Sequence, residues 1–259
     1  MKKDISRVRN KILEDFGDQS LFFITFLRNI FKSNFEWNEL IRQCYLTGVK
    51  SLNIVILTGF VLGFVITLQF QPTLNFFGAS GYVPNMVAVS IVREISPVII
   101  SLICAGKISS GIAAELGSMK VTEQIAAMDV SGANPTQYLI VTRIIACTIM
   151  VPILVLFADI CAFMGGYFGM NISGNMTGTL YFNKTFETLV FSDLFPALAK
   201  TIFFGFIIGF QGCFKGFHAN MGTESVGKAA NSAVVAASVW IIIADALAVQ
   251  LTSIFIYNQ

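Results

Sequence analysis

Apolar and polar positions alternate in long blocks. From Ser51 to Val92 no residue is charged. A membrane span takes about 20 mostly apolar residues, so this run is too long for one crossing and reads as two. Gln69, Gln71, Pro72, Asn75, Gly78, Gly81, Pro84 and Asn85 mark its middle. The pattern predicts a first helix over 50–70, a short exposed loop and a second helix over 86–107. The next apolar run, 137–170, is long for one crossing and short for two. It predicts a span over 137–160, bent near Pro152 and the Gly165-Gly166 pair, with its last part lying at the interface. Residues 171–190 are rich in Asn, Ser, Gly and Thr, carry Lys184 and Glu187, and predict a polar loop. A fourth helix follows over 193–213, with Asp193 as its N-cap and Pro196 in its first turn. A fifth runs over 231–256.

Composition agrees with this division. Of 259 residues, 55% are hydrophobic and 12% charged, too few charges to coat a soluble domain of this size. The net charge is +2 and the basic residues are scattered, which argues against a nucleic-acid surface. Nine Lys or Arg fall in the first 50 residues, and Lys107, Lys120, Arg143, Lys215 and Lys228 lie in segments on the same side. The 71–86 loop has no basic residue and 171–193 has only Lys184. The positive-inside bias therefore predicts a cytoplasmic N-terminus, five spans and an external C-terminus. The fold class is all-α and polytopic, with a membrane body over 49–259 preceded by N-terminal helices over 1–48.

The N-terminal segment does not read as a signal peptide: Asp4, Glu14, Asp15 and Asp18 precede the apolar stretch and no small-residue cleavage site follows it. Phe22, Phe26 and Ile30 repeat at four-residue spacing, as do Phe23, Leu27 and Phe31, with Arg28 and Lys32 elsewhere. Such a helix suits the membrane surface, or packing on the protein itself.

Residues 111–135, GIAAELGSMKVTEQIAAMDVSGANP, are the most polar stretch inside the apolar body. Val121, Ile125 and Met128 form a stripe, Lys120, Glu123 and Gln124 lie off it, Ser118 or Thr122 can cap the helix, and Gly132 and Pro135 can end it. A short amphipathic helix of this kind can dock in a partner's groove or serve as a plain inter-helix connection.

The run VREISPVIISLICAGKISSGIAAELGSMKVTEQIAAMDVSGANPTQYLIVTRIIA (92–146) resembles the hallmark of the MlaE (YrbE) permease family. The resemblance is dense over some 55 residues. Three positions depart from the family pattern: Ser96 stands where Gly is common, Lys107 where Arg is common, and Thr142 where Pro is common. The resemblance implies that 49–259 is a permease domain. It implies a homodimeric subunit of an ABC-type lipid transporter in the bacterial inner membrane, carrying phospholipid or a similar lipid. The implied partners are a separate cytoplasmic ATPase and an MCE-domain lipid-binding protein. Under the same resemblance, 113–129 is a coupling helix that meets the ATPase through Glu115, Lys120, Glu123 and Gln124. ATP would be bound by the partner, leaving this chain without a cofactor or catalytic residue of its own.

Several charges fall inside apolar stretches. An ionised group at the bilayer centre costs about 2.5–3.5 kcal/mol on insertion scales, so each needs a partner or water. At 1.5 Å per residue, Arg93, Glu94 and Lys200 lie roughly 10 Å from the outer ends of their helices, and Asp245 sits near the middle of the fifth. Pro97 lacks the N–H that would bond the Arg93 carbonyl. Arg93, Glu94, Lys200 and Asp245 can form a patch for a lipid headgroup in an outward-facing cavity, or salt bridges such as Glu94–Lys200 and Arg93–Asp245 that pin helices; both can hold. Asp159 reads as interfacial.

Other motifs carry less. GTESVGKA (222–229) imitates a phosphate-binding loop, but Ala229 replaces the magnesium-holding Ser or Thr and no apolar strand precedes it. Gly59-x3-Gly63, Gly205-x3-Gly209 and Gly212-x3-Gly216 favour close helix packing, within one chain or between two. One histidine, His218, and five cysteines without a C-x-x-C give no metal site of the usual kind. Two other functional classes remain open: an ion-coupled secondary transporter using Glu94 or Asp245, and a membrane scaffold that only tethers an MCE-domain protein.

Overall fold

The computed structural model describes residues 2–30, 35–172 and 176–254, with side chains from Phe16 onward. Eight helices account for nearly all of them: α1 (Lys2–Ile30), α2 (Trp37–Phe76), α3 (Ser80–Val121), α4 (Gln124–Val130), α5 (Thr136–Ile172), α6 (Gly178–Thr188), α7 (Phe191–Phe217) and α8 (Thr223–Thr252). Five of them, α2, α3, α5, α7 and α8, are long and apolar enough to cross a membrane. The chain is an all-α, multi-pass membrane protein.

The spans run well past their apolar cores. The 40 residues of α2 extend about 60 Å at 1.5 Å per residue, roughly twice the hydrocarbon thickness. Hydropathy locates the part of a helix that suits lipid; it does not mark where the helix stops. α3 likewise continues from the predicted 86–107 span to Val121. The third run is one continuous helix, α5, and Gly165 and Gly166 lie where it packs closely on α2 and α6. A Cβ on Gly165 would strike the Phe60 carbonyl of α2, and one on Gly166 would strike the Tyr181 hydroxyl of α6.

The same logic explains the paired glycines. Gly59 and Gly63 of α2 lie against Ala158 and Ala162 of α5, and a Cβ on Gly59 would sit 2.5 Å from the Ala158 carbonyl oxygen. On α7, Gly205 and Gly209 admit α5, whereas Gly212 and Gly216 admit α3. All three motifs therefore serve packing within the chain. Absent side chains let the backbones approach until dispersion contacts become dense, which drives helix association where lipid removes the hydrophobic incentive. α7 becomes the central helix, packed on α3, α5 and α8, while α8 leaves Val235, Val239, Ile242 and Leu247 uncovered.

α1 lies along the opposite end of α7 from α6. Phe22 is buried against Phe210 and Phe214, and Phe26 against Phe206. Phe16, Leu21, Ile24 and Leu27 remain exposed. One edge of the predicted amphipathic helix thus packs on the protein while an adjacent apolar row stays uncovered; Phe31 and Lys32 lie outside the described residues. Residues 171–190 differ from the predicted loop, because 178–188 form α6. Tyr181 and Thr185, one turn apart, are its buried edge, and Lys184 donates to the Gly81 carbonyl at 2.8 Å.

Candidate functional site

α3 is widened where the first two intramembrane charges sit. Residues Ile91–Ile95 form a π turn in which the Ser96 amide donates to the Ile91 carbonyl, five residues back. Pro97 accounts for the location: it offers no hydrogen to the Arg93 carbonyl, and the shifted register absorbs the defect. The turn carries Arg93 and Glu94 out of α3 toward α7 and α8.

There the charges meet. Lys200 of α7 is buried and donates to Glu94 at 2.7 Å and to Asp245 of α8 at 3.2 Å. Arg93 pairs with Asp193, also of α7, at 2.7 Å. The structure thus brings Glu94, Lys200 and Asp245 into one cluster, includes the expected Glu94–Lys200 bridge, and replaces Arg93–Asp245 by Arg93–Asp193. Asp193 is not the N-cap. α7 begins two residues earlier, at Phe191 after Val190, so Asp193 falls in its first turn and turns inward. Among the described residues the cluster joins Glu94, Asp193 and Asp245 to Arg93 and Lys200. The Glu94 side chain is 44% exposed, so one carboxylate of the network faces open space.

Asp159, read from the sequence as interfacial, is a buried residue of α5. It lies 13 residues before the end of α5, about 20 Å along the helix, and only 6% of it is exposed.

The opposite end holds the segment expected to be one coupling helix over 113–129. It is two helices. α3 continues to Val121, Glu123 takes a left-handed backbone conformation (φ 58°), and α4 begins at Gln124. Thr122 does not cap α4; its hydroxyl donates back to the Ser118 carbonyl at 2.9 Å. Ile125 and Met128 pack on the core as the stripe predicted, and left-handed Gly132 ends the elbow, its amide donating to Asp129.

The four residues expected to meet a partner separate accordingly. Glu115 accepts from Arg143 of α5 at 2.9 Å, and Lys120 donates to the Phe217 carbonyl at the end of α7 at 2.7 Å. Both are engaged within the chain. Glu123 and Gln124 are exposed at the elbow, beside Asp129 and Val130, whose side chain is 90% exposed.

Arg143 is the residue that sequence reasoning weighed least. It counted only as a basic residue of a cytoplasmic segment, yet it is 2% exposed and also donates to the Leu139 carbonyl at 2.8 Å. A buried arginine binds its partner through several hydrogens in a fixed plane, which suits it to lock two helices. The imitation of a phosphate-binding loop proves to be the opening of α8: Gly222 is its N-cap position and Lys228 pairs with Glu224 at 2.7 Å.

Comparison with known proteins agrees with this architecture. A match to the family described as permease MlaE covers residues 40–251. A probable ABC transporter permease protein of Rickettsia typhi is 36% identical over 241 residues, covering 93% of each chain. One from Synechocystis is 32% identical over 86% of each chain, and one from Pyropia yezoensis is 30% identical over 91% of this chain and 89% of its own. A five-span helical body with its hallmark run on α3, α4 and the start of α5, matched over 40–251, makes this chain a member of the MlaE permease family.

Proposed function

We propose that this protein is the membrane subunit of an ABC transporter for phospholipid or a similar lipid, working as a homodimer with a separate cytoplasmic ATPase. The observation that carries the reading is the charged cluster at apolar depth. Arg93 and Glu94 retain exposed surface there, and acyl chains cannot solvate it. A second copy placed across α3 and α8 would enclose these groups in a cavity. The uncovered apolar residues of α8 would supply the contact around it. A headgroup carrying both phosphate and amine, or phosphate and hydroxyls, matches a site that offers cations and an open carboxylate together. The apolar surface beside it suits the chains.

The protein supplies the site and the moving parts, and ATP acts in the partner. The exposed elbow residues Glu123, Gln124, Asp129 and Val130 form the coupling surface. Glu115 and Lys120 act behind it, transmitting displacement of the elbow into α5 and α7 through Arg143 and the end of α7. The names of the relatives favour the ATPase partner. The family favours a place in the bacterial inner membrane with the N-terminus cytoplasmic and an MCE-domain lipid-binding protein on the far side.

The test is reconstitution with the ATPase in vesicles containing fluorescent phospholipid. Transfer should require ATP and fall at least tenfold when Glu94→Ala and Lys200→Ala are combined. Glu123→Arg should lower transfer while ATPase assembly persists. Transfer that proceeds without the ATPase, or is indifferent to the double substitution, would overturn the reading.

A further inference from the structure

α3 carries a second π turn, Ala105–Ser109. Pro97 explains the first; no proline stands beside this one. Such turns inside α-helices often mark functional positions. This one sets Lys107 against α2, where its ammonium donates to the Lys50 carbonyl. The two lysines border a cavity of about 220 Å³ between α2 and α3, with Ser51 and Gly111 among its walls. Glu115 lies there too, but its carboxylate is bonded to Arg143. Among the described residues no carboxylate pairs with Lys50 or Lys107. Ser51 is buried, and no hydrogen bond within the described residues uses its hydroxyl. Gly111 is exposed, and a Cβ there would meet nothing of the chain. Unlike the packing glycines of α2, α5 and α7, it leaves the backbone open to a group from outside.

Depth narrows what that group is. No residue from Ser51 to Val92 is charged, so Lys50 stands where α2 enters the hydrocarbon. Lys107, bonded to the Lys50 carbonyl, shares that level. It lies 13 residues beyond Glu94, about 20 Å along α3, so the cavity and the charged cluster are separate sites. From Lys50 the exposed residues Ile54, Leu57 and Val61 continue along one face of α2 at spacings of four, three and four. Cations at the polar edge thus meet an apolar track running into the bilayer. A basic pocket between spanning helices at this level suits an anionic headgroup.

We propose that this crevice binds an anionic glycerophospholipid from the leaflet at the α4 end. Lys50, Lys107 and the Ser51 hydroxyl hold its phosphate, and a chain lies along Ile54, Leu57 and Val61. The cavity is smaller than the range of about 300–1,000 Å³ usual for whole small-molecule ligands, which suits a phosphate with its glycerol and leaves the chains outside. A headgroup whose only charge is the phosphate gains from both lysines. A choline headgroup brings a cation of its own against them and gains less. The site does not rest on the transport reading, because neither the cluster nor the exposed elbow takes part in it.

The test uses the full-length chain in phosphatidylcholine nanodiscs with trace lipid probes that carry a photoactivatable group close to the phosphate. One probe is phosphatidylglycerol and the other phosphatidylcholine. The phosphatidylglycerol probe should label residues 43–54 and 107–115 about fivefold more than the choline probe. Lys50→Gln and Lys107→Gln should each lower that labelling about fivefold, and Lys107→Arg, which keeps the charge, should retain it. Gly111→Leu fills the cavity with both cations in place and should abolish the excess. It also exchanges a helical glycine for a better helix former, so it carries the test should a lysine variant fail to fold. Glu94→Ala should leave the labelling unchanged, which keeps this site distinguishable from the cluster. Unlabelled phosphatidylglycerol should displace the probe and an equal concentration of inorganic phosphate should not; displacement by phosphate would assign the crevice to a free anion and overturn the lipid. Equal labelling by the two probes, or an excess that survives Gly111→Leu, would overturn the proposal as well.

Discussion

Two ionic arrangements bridge the helices, one at each end, and they are built differently. Toward the α4 end, Arg143 and Glu115 join α5 to α3. The arginine is fully buried and also bonded to its own helix at Leu139. Toward the α6 end, Lys200 is shared between Glu94 and Asp245 while Arg93 holds Asp193. The first buries the cation behind a single carboxylate. The second divides one lysine between two carboxylates and keeps another cation, Arg93, partly exposed. A pair built only to hold helices needs no cation left open. The difference supports reading the α4-end pair as a fastener and the α6-end cluster as a fastener that also serves the proposed headgroup site.

The largest effect should come from breaking the fastener on its exposed side. Glu115→Ala strands a buried guanidinium and should cost about 3–5 kcal/mol of stability, read as thermal unfolding in detergent. Arg143→Met leaves a carboxylate that water can reach and should cost less, about 1.5–3 kcal/mol. The reverse order would mean that the two ends do not differ as described. Next, Gly63→Ala forces α2 away from Ala162 and should cost about 1–3 kcal/mol by overpacking while leaving lipid specificity unchanged. It thereby separates a packing defect from a binding defect. The smallest effect belongs to Tyr181→Phe. Its hydroxyl is buried without a partner near the α6 end, so stability should change by less than about 0.5 kcal/mol and lipid transfer not at all. A large loss there would mean that polarity at this end matters beyond the cluster.

Much of this was legible in the residue order, for reasons that also define where reading failed. Charges in apolar runs announce themselves, and depth along ideal helices put Glu94 and Lys200 at one level, where they bond. The same arithmetic cannot give rotation about each helix axis, so Arg93 was matched with Asp245 instead of Asp193. A shift of two residues in the start of α7 turned Asp193 from a cap into a partner. The left-handed bend at Glu123 has no glycine to signal it, and the helix it divides looked continuous. α6 was hidden by polar composition: only Tyr181 and Thr185 are buried on it, too few to register as a stripe. Arg143 and Glu115 lie 28 positions apart on different helices, and spacing alone does not join them.

The central claim is that the α6-end cluster holds a lipid headgroup in addition to holding helices together. It is tested most directly by exchanging its charges, Glu94→Lys with Lys200→Glu, and measuring bound phospholipid by native mass spectrometry of the purified complex alongside its melting temperature. The account predicts loss of the bound phospholipid, with a melting temperature only partly lowered, because the exchanged pair reforms while the new carboxylate on α7 faces Asp245. Phospholipid retained at full occupancy in the exchanged protein would contradict it and leave the cluster as a fastener alone.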